Sequence, residues 1–339
     1  MTQTGEKSPI LLNRTPVSVI TGYLGSGKTT LLNHLVSQPG MDKTALIINE
    51  FGEVGLDHVL VESAIENTLL LENGCICCSI RGDLVDTICD LFAKVRAGDL
   101  PAFDRVLIET TGLADPGPIV RSIVTDEAVK NRCNLEAMIT LVDGILGGEQ
   151  ISQGDETVVQ IAHADLVLIT KGDLCGTEKL DGLRAEVRQI NPDAEITVIQ
   201  HGKVDPDLLF QPWEHHTFPT EVETEIDPHE EHGHDHGHNH GHVQSISIVH
   251  DAPIDEDRFR AWLRSLYSLR APGLLRLKGI VNFADANGPV LIQAVAGVFS
   301  PPARLETWPQ GHPETHLVLI FKGLSAEDVE RSFRANVLR

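Results

Sequence analysis

The sequence predicts an α/β fold: a doubly wound, mainly parallel sheet, followed by a small α+β domain. Three observations predict it. Short apolar, β-rich segments alternate with helical patterns through the first two-thirds of the 339 residues, and such alternation means βαβ units with helices on both sheet faces. Residues 17–30, VSVITGYLGSGKTT, run from a strand through a glycine-rich loop into a helix. After Pro212, Pro219 and Pro228 the chain turns acidic and histidine-rich, without hydrophobic periodicity. The expected organisation is a nucleotide-type domain at 1–214, a flexible linker at 215–242 and an α+β domain at 243–339. The length suffices for two domains with their own cores.

The elements follow in order. Apolar, β-branched runs predict strands at 17–21, 44–49, 68–71, 104–109, 137–142, 165–169 and 195–199,. Helical patterns fall at 29–37, 80–96, 118–130, 156–163 and 178–190,. The alternating strand VQSISIV after His242 opens the second unit. A helix near 255–269, strands near 274–283, 290–298 and 316–321, and a helix near 326–337 complete it.

Bulk properties exclude several partners. With 49 acidic against 27 basic residues, the formal net charge is −22, a field that repels nucleic acid and anionic membrane. No apolar run reaches the length of a membrane span and the N-terminus is polar, so the expected compartment is the cytoplasm, where thiols stay reduced. The six cysteines are then expected as metal ligands or core residues rather than disulfides.

The loop at 22–29 fits G-x-x-x-x-G-K-T through Gly22, Gly27, Lys28 and Thr29. Gly22, Gly25 and Gly27, with Ser26 between them, let backbone N–H groups converge on a phosphate chain. Lys28 would reach the β- and γ-phosphates, the Thr29 hydroxyl would sit on Mg²⁺, and Ser26 and Thr30 are expected to contact the nucleotide. The following helix adds its positive N-terminal end. This is the P-loop arrangement, so the first domain is expected to be of P-loop NTPase type.

Two strand ends suggest which nucleotide. DRVLIETTG at 104–112 places Glu109 at a strand's carboxyl end, where a doubly wound sheet meets its ligand. Glu109 is expected to serve the Mg²⁺ shell or the attacking water, and the Gly112 N–H the γ-phosphate. LVLITKGD at 166–173 ends in Thr170, Lys171 and Asp173. Asp173 can accept from guanine N1–H and N2–H₂ while the Lys171 stem covers the base, which selects GTP over ATP. The usual GTPase motif begins with Asn, and Thr170 in its place is expected to make fewer loop contacts.

NGCICC at 73–78 holds Cys75, Cys77 and Cys78. In an extended segment Cys75 and Cys77 share a face and can meet one ion, with Cys78 directed away; thiolates select Zn²⁺ or Cu(I) over Mg²⁺. Cys89, Cys133 and Cys175 stand alone and read as core residues. INEFGEVGLD at 48–57 puts Glu50 and Glu53 in a glycine-containing loop, where a switch sensing the γ-phosphate belongs. Glu50 is the expected Mg²⁺ partner, and Cys78 or Glu53 is expected to complete the transition-metal shell of Cys75 and Cys77. HEEHGHDHGHNHGH at 229–242, with His232, His234, His236, His238, His240 and His242, offers weak collecting sites for Zn²⁺, Ni²⁺ or Co²⁺ on a flexible tether,.

Together GYLGSGKTT, NEFGEVGLD, NGCICC, ETTGLADPGP and TKGD, with LLRLKGIVNF and GVFSPP further on, resemble the CobW-type family of P-loop GTPases and metallochaperones. The resemblance covers nearly the whole chain and is nearest to the family's zinc-binding bacterial members. It implies slow, Mg²⁺-dependent GTP hydrolysis coupled to delivery of a transition metal to a client protein, with Cys75–Cys78 as the metal motif. The Thr of TKGD resembles a variant frequent in the family. Expected partners are GTP or GDP, the metal ion and the client, with a homodimer left open. Two other readings stand beside this one: a zinc store built on the histidine tether, and an insertion factor for one enzyme.

Overall fold

The computed structural model describes residues 14–49, 68–70, 76–80, 83–210, 243–270, 273–309 and 311–338. Strands β1 (Thr15–Gly22), β2 (Thr44–Asn49), β3 (Thr68–Leu70), β4 (Ile76–Ile80), β5 (Arg105–Glu109), β6 (Cys133–Asp143), β7 (Leu166–Thr170) and β8 (Glu195–Val198) form one sheet. Its eight strands run in the order β3-β4-β2-β5-β1-β6-β7-β8. Every recorded pairing is parallel except β3 with β4. The doubly wound class is borne out.

Helices α1 (Lys28–Leu35), α2 (Leu84–Ala97), α3 (Gly117–Thr125), α4 (Glu127–Lys130), α5 (Gly147–Gln153), α6 (Asp155–His163), α7 (Thr177–Ile190) and α8 (Pro206–Phe210) cover both faces. Side chains alternate across a strand. Val17 and Val19 of β1 therefore join Ile88, Leu91, Val120 and Ile123 of α2 and α3 on one face. Ile20 joins Leu31, Leu32, Leu35 and Leu209 on the other. Strands buried on both sides need no polar alternation, which is why these segments read as continuous apolar runs.

The second unit contains β9 (Val243–His250), α9 (Glu256–Arg270), β10 (Leu274–Val281), β11 (Val290–Val295), β12 (Val298–Phe299), β13 (Ala303–Arg304), β14 (Thr315–Lys322) and α10 (Ala326–Asn336). The six strands are antiparallel, ordered β12-β11-β10-β14-β9, with β13 on β11. Phe259, Trp262, Val329 and Phe333 of α9 and α10 pack on one face against Leu277, Leu319 and Phe321. Leu275, Val318 and Ile320 share a core with Val158, Ile161, Leu183 and Val187 of α6 and α7. Burying each such side chain stabilises by about 1.5–3 kcal/mol, so the two units meet across an apolar seam.

Three expectations need correction. The helix expected at 118–130 breaks at Asp126, whose extended backbone (φ −68°, ψ 128°) lets its carboxylate cap α4 through the Ala128 and Val129 N–H groups,. The helix expected from 80 begins at Leu84, where Asp83 Oδ1 accepts the Val85 N–H at 2.7 Å. The strand expected at 290–298 folds back at Ala296 (φ 52°) and Gly297 (φ 75°) into β11 and β12. Two consecutive positive φ values match the twist of a tight hairpin. Residues 76–80 form an additional strand. Among the described residues no helix is long and apolar enough to cross a membrane.

Candidate functional site

The carboxyl ends of β1, β5, β6 and β7 converge on the loop between β1 and α1. Gly22 leaves β1 with φ 145°, and a Cβ there would lie 2.5 Å from the Leu141 carbonyl oxygen, so only glycine fits. The loop closes through the Ser26 N–H on the Tyr23 carbonyl at 3.1 Å, and α1 starts with the Leu31 N–H on Gly27 O at 2.9 Å. Lys28 is 9% exposed and donates from Nζ to Gly22 O at 2.7 Å and to Tyr23 O at 3.2 Å. Burial holds its ammonium below the ordinary lysine range, and the charge of Glu109 offsets part of that,. Thr29 is half-buried and Thr30 exposed.

Glu109, 6% exposed, ends β5. The next residue ties this end to β1: Thr110 Oγ1 donates to Thr21 Oγ1 at 2.8 Å, and its N–H to Ile20 O at 2.9 Å. Gly112 then passes so near the phosphate loop that a Cβ would lie 2.8 Å from the Leu24 nitrogen. The structure thus brings Gly112 against the phosphate loop.

Thr170 holds the place of that Asn. Its hydroxyl donates to Ser26 O at 2.8 Å, so the residue in the place of Asn still braces the phosphate loop. Lys171, with φ 54°, crosses the loop mouth: Nζ donates to Gly25 O at 3.0 Å and pairs with Asp143. Asp143 ends β6, is 1% exposed and also accepts the Ile145 N–H at 2.8 Å. Asp173 follows in a short turn, with its carboxylate 3.7 Å from His201 Nε2. Gly202, beside His201, packs on α1, where a Cβ would lie 2.7 Å from Thr30 O.

Lys28, Gly112 and Lys171 therefore meet one loop, Glu109 lies near enough to Lys28 to act on its charge, and Asp173 stands beside His201. Asp143, Thr110 and His201 were not singled out from the sequence. Asp143 had a signal: it closes an apolar strand at a glycine, as Glu109 and Thr170 close theirs near one.

Cys75, Glu50, Glu53 and the histidines of 229–242 lie outside the described residues. The backbone of Cys77 and Cys78 lies in β4, where Cys77 pairs with Leu46 of β2 and Leu69 of β3. Leu46 is level with Leu107, and Leu107 with Ser18 of β1. Cys77 thus sits three strands from β1 and four residues below Gly22. Standard strand spacings make that roughly 20 Å. Cys133 is buried, and desolvation raises its thiol to about 11, a core cysteine as expected.

Residues 16–198 match the family described as CobW/HypB/UreG, nucleotide-binding domain, and residues 243–337 the Cobalamin synthesis protein cobW C-terminal domain. The chain belongs to the CobW family. This CobW-family chain is 32% identical over 321 residues to the zinc chaperone YjiA of Escherichia coli, covering 94% of this chain and 97% of the relative. It is 36% identical over 207 residues to the zinc chaperone CobW of Pseudomonas aeruginosa, covering 52% and 54% of the two chains. The solved structure of Zn(II)-bound YjiA GTPase from E. coli superposes with a TM-score of 0.75 at 31% identity, covering 95% of this chain and 99% of that one. By family the chain is a P-loop GTPase.

Proposed function

We propose that this CobW-family GTPase hydrolyses GTP and uses its nucleotide state to hold Zn²⁺ and release it to a client protein. The observation that carries the reading is the convergence of Lys28, Glu109, Gly112 and Lys171 on one loop, in a chain whose full-length relative is named a zinc chaperone. Lys28 and the loop N–H groups would neutralise and orient the triphosphate. Glu109 would accept a hydrogen bond from the attacking water, and the Gly112 N–H would follow the γ-phosphate until it leaves. Asp173 would accept from the guanine edge while Lys171 covers the base.

Mg²⁺ fits this donor set, because the start of α1 carries the Thr29 hydroxyl and β5 ends in the buried Glu109 carboxylate, and hard oxygen ligands suit that ion. Thr29 and Glu50 would hold it, and it would supply charge neutralisation at the phosphates. Zn²⁺ is cargo: Cys75 and Cys77, with Cys78 or Glu53, would take it as thiolates, and the 215–242 tether with its histidines would collect ions for them. Strand β2 pairs with both β4 and β5 and leads into the Glu50–Glu53 segment, which offers a route between cargo and nucleotide. Leu24, Leu113, Leu146 and Leu174 are 47–66% exposed around the loop mouth, an apolar surface suited to a second copy.

Equilibrium dialysis tests the cargo site. Replacing Cys75, Cys77 and Cys78 together by Ala should remove stoichiometric Zn²⁺ while GTP still binds. Retention of that zinc overturns the assignment. If deletion of 229–242 removes the metal instead, the protein is a store. A higher affinity for Co²⁺ or Ni²⁺ at the cysteines would change the cargo and keep the mechanism.

A further inference from the structure

The loop at 112–117, which follows Glu109, is held from behind by α6. Gln160 of that helix is fully buried and donates from Nε2 to Gly112 O at 3.3 Å and to Ala114 O at 3.2 Å. One turn on, His163 is 1% exposed, with Nε2 3.7 Å from Asp115 Oδ1. That contact is the chief reason the Asp115 carboxyl lies below its ordinary range. Asp115 Oδ1 also accepts the Gly117 N–H at 2.8 Å, which sets the start of α3. Both ends of the loop thus hang from one helix face.

The C-terminal domain holds that helix in turn. His163 is the last residue of α6, and a helix leaves its final carbonyls without partners of its own. Arg276 of β10, 2% exposed, donates from Nη1 to His163 O at 2.8 Å. Its Nη2 pairs with Asp165, whose other oxygen accepts the Met138 N–H at 2.8 Å. A second contact is independent of this one. Ala296, at the tip of the β11–β12 turn, packs in the core of α3, and a Cβ at Gly117 would lie 3.4 Å from its own.

We propose that Gln160, His163 and Arg276 are positioning residues for GTP hydrolysis, through which the C-terminal domain sets the geometry of the 112–117 loop. None of the three touches the nucleotide loop itself. They act by fixing where the Gly112 N–H and the Glu109 turn stand, and sub-ångström shifts there are felt by the reaction. Coupling is reciprocal in binding terms, so nucleotide state is also reported to β10. The inference rests on the GTPase reading above.

The test uses the full-length chain with Mg²⁺ and GTP, comparing wild type with Gln160→Met, His163→Ala, His163→Gln and Arg276→Lys. Arg276→Lys keeps a charge opposite Asp165 but loses the planar fork that also reaches His163 O. The expected result is a kcat lowered about fivefold or more, with KM and fluorescent GDP affinity within about twofold. His163→Gln, whose amide can still donate toward Asp115, should recover part of the loss. Hydrogen exchange at Leu275–Leu277 should differ between GDP and a non-hydrolysable GTP analogue in wild type, and this difference should vanish in His163→Ala. An active wild type with unchanged variants, or losses that merely follow melting temperature, overturns this inference alone. A wild type that does not turn over GTP overturns the GTPase reading as well.

Discussion

Lys28 carries two opposed demands: its ammonium must meet phosphate, and it must be kept dry to do so strongly. Burial lowers its proton affinity, so the unfolded chain binds that proton more tightly than the folded one. Stability therefore rises with pH from the lowered value up to the ordinary lysine value. Lys28→Met should abolish nucleotide binding yet leave the nucleotide-free chain equally or more resistant to heat; a large fall in melting temperature would contradict this. Thr170→Val removes the donor to Ser26 O, a bond worth about 1 kcal/mol. GTP affinity should then drop about fivefold, as read by fluorescent nucleotide titration, and Thr170→Ser should keep it. The places of Lys28, Thr29 and Glu109 in the fold were legible because each sits in a local strand–loop pattern. The role of Thr170 was not, since its acceptor lies 144 residues away. The buried Cys133, with its thiol near 11, should stay unalkylated at pH 8 in the native protein.

At the scale of elements, periodicity found most strands and helices, because buried parallel strands and amphipathic helices leave strong patterns. It failed where one side chain redirects the backbone. Asp126 ends α3 and caps α4 within an apolar run that reads as one helix. Asp126→Ala should cost about 1 kcal/mol, seen as a lowered urea midpoint with an unchanged slope; no shift would show that the cap is idle. The β11–β12 turn escaped notice for a similar reason, since Ala296 adopts a positive φ that its type rarely takes,. Helix α6 was expected in place, but nothing in its sequence shows that one face hangs the 112–117 loop while its last carbonyl meets Arg276. The first contact spans 48 residues within one unit and the second crosses to the other unit.

For the whole molecule, the seam between the two units is apolar in its core and pinned by charge. Lys278 and Asp193 are each 4% exposed and 3.2 Å apart, and Lys322 meets Asp155 at 2.7 Å near solvent. Removing one partner of the buried pair would leave a dry charge, so Lys278→Met alone should destabilise by about 3–5 kcal/mol. His316 lies in this seam, its proton affinity lowered by burial and only partly restored by Glu314 and Asp193. The unfolded chain again binds the proton more tightly, so stability should fall as pH drops through the ordinary histidine range. His316→Gln should flatten that acid limb in thermal unfolding; an identical limb would clear His316 of the role.

The two-unit architecture and the nucleotide loop were legible in the sequence, because both rest on local patterns and on composition. How the cysteines relate to that loop was not, because the register that sets Cys77 level with Ser18 emerges only when β2 and β5 pair. The central claim is that cargo and nucleotide sense each other across those strands, and Zn²⁺ affinity measured with GDP and with a non-hydrolysable GTP analogue tests it directly. The two affinities should differ by about tenfold or more, with the difference abolished in Cys77→Ala. Equal Zn²⁺ affinities in the two nucleotide states would contradict it.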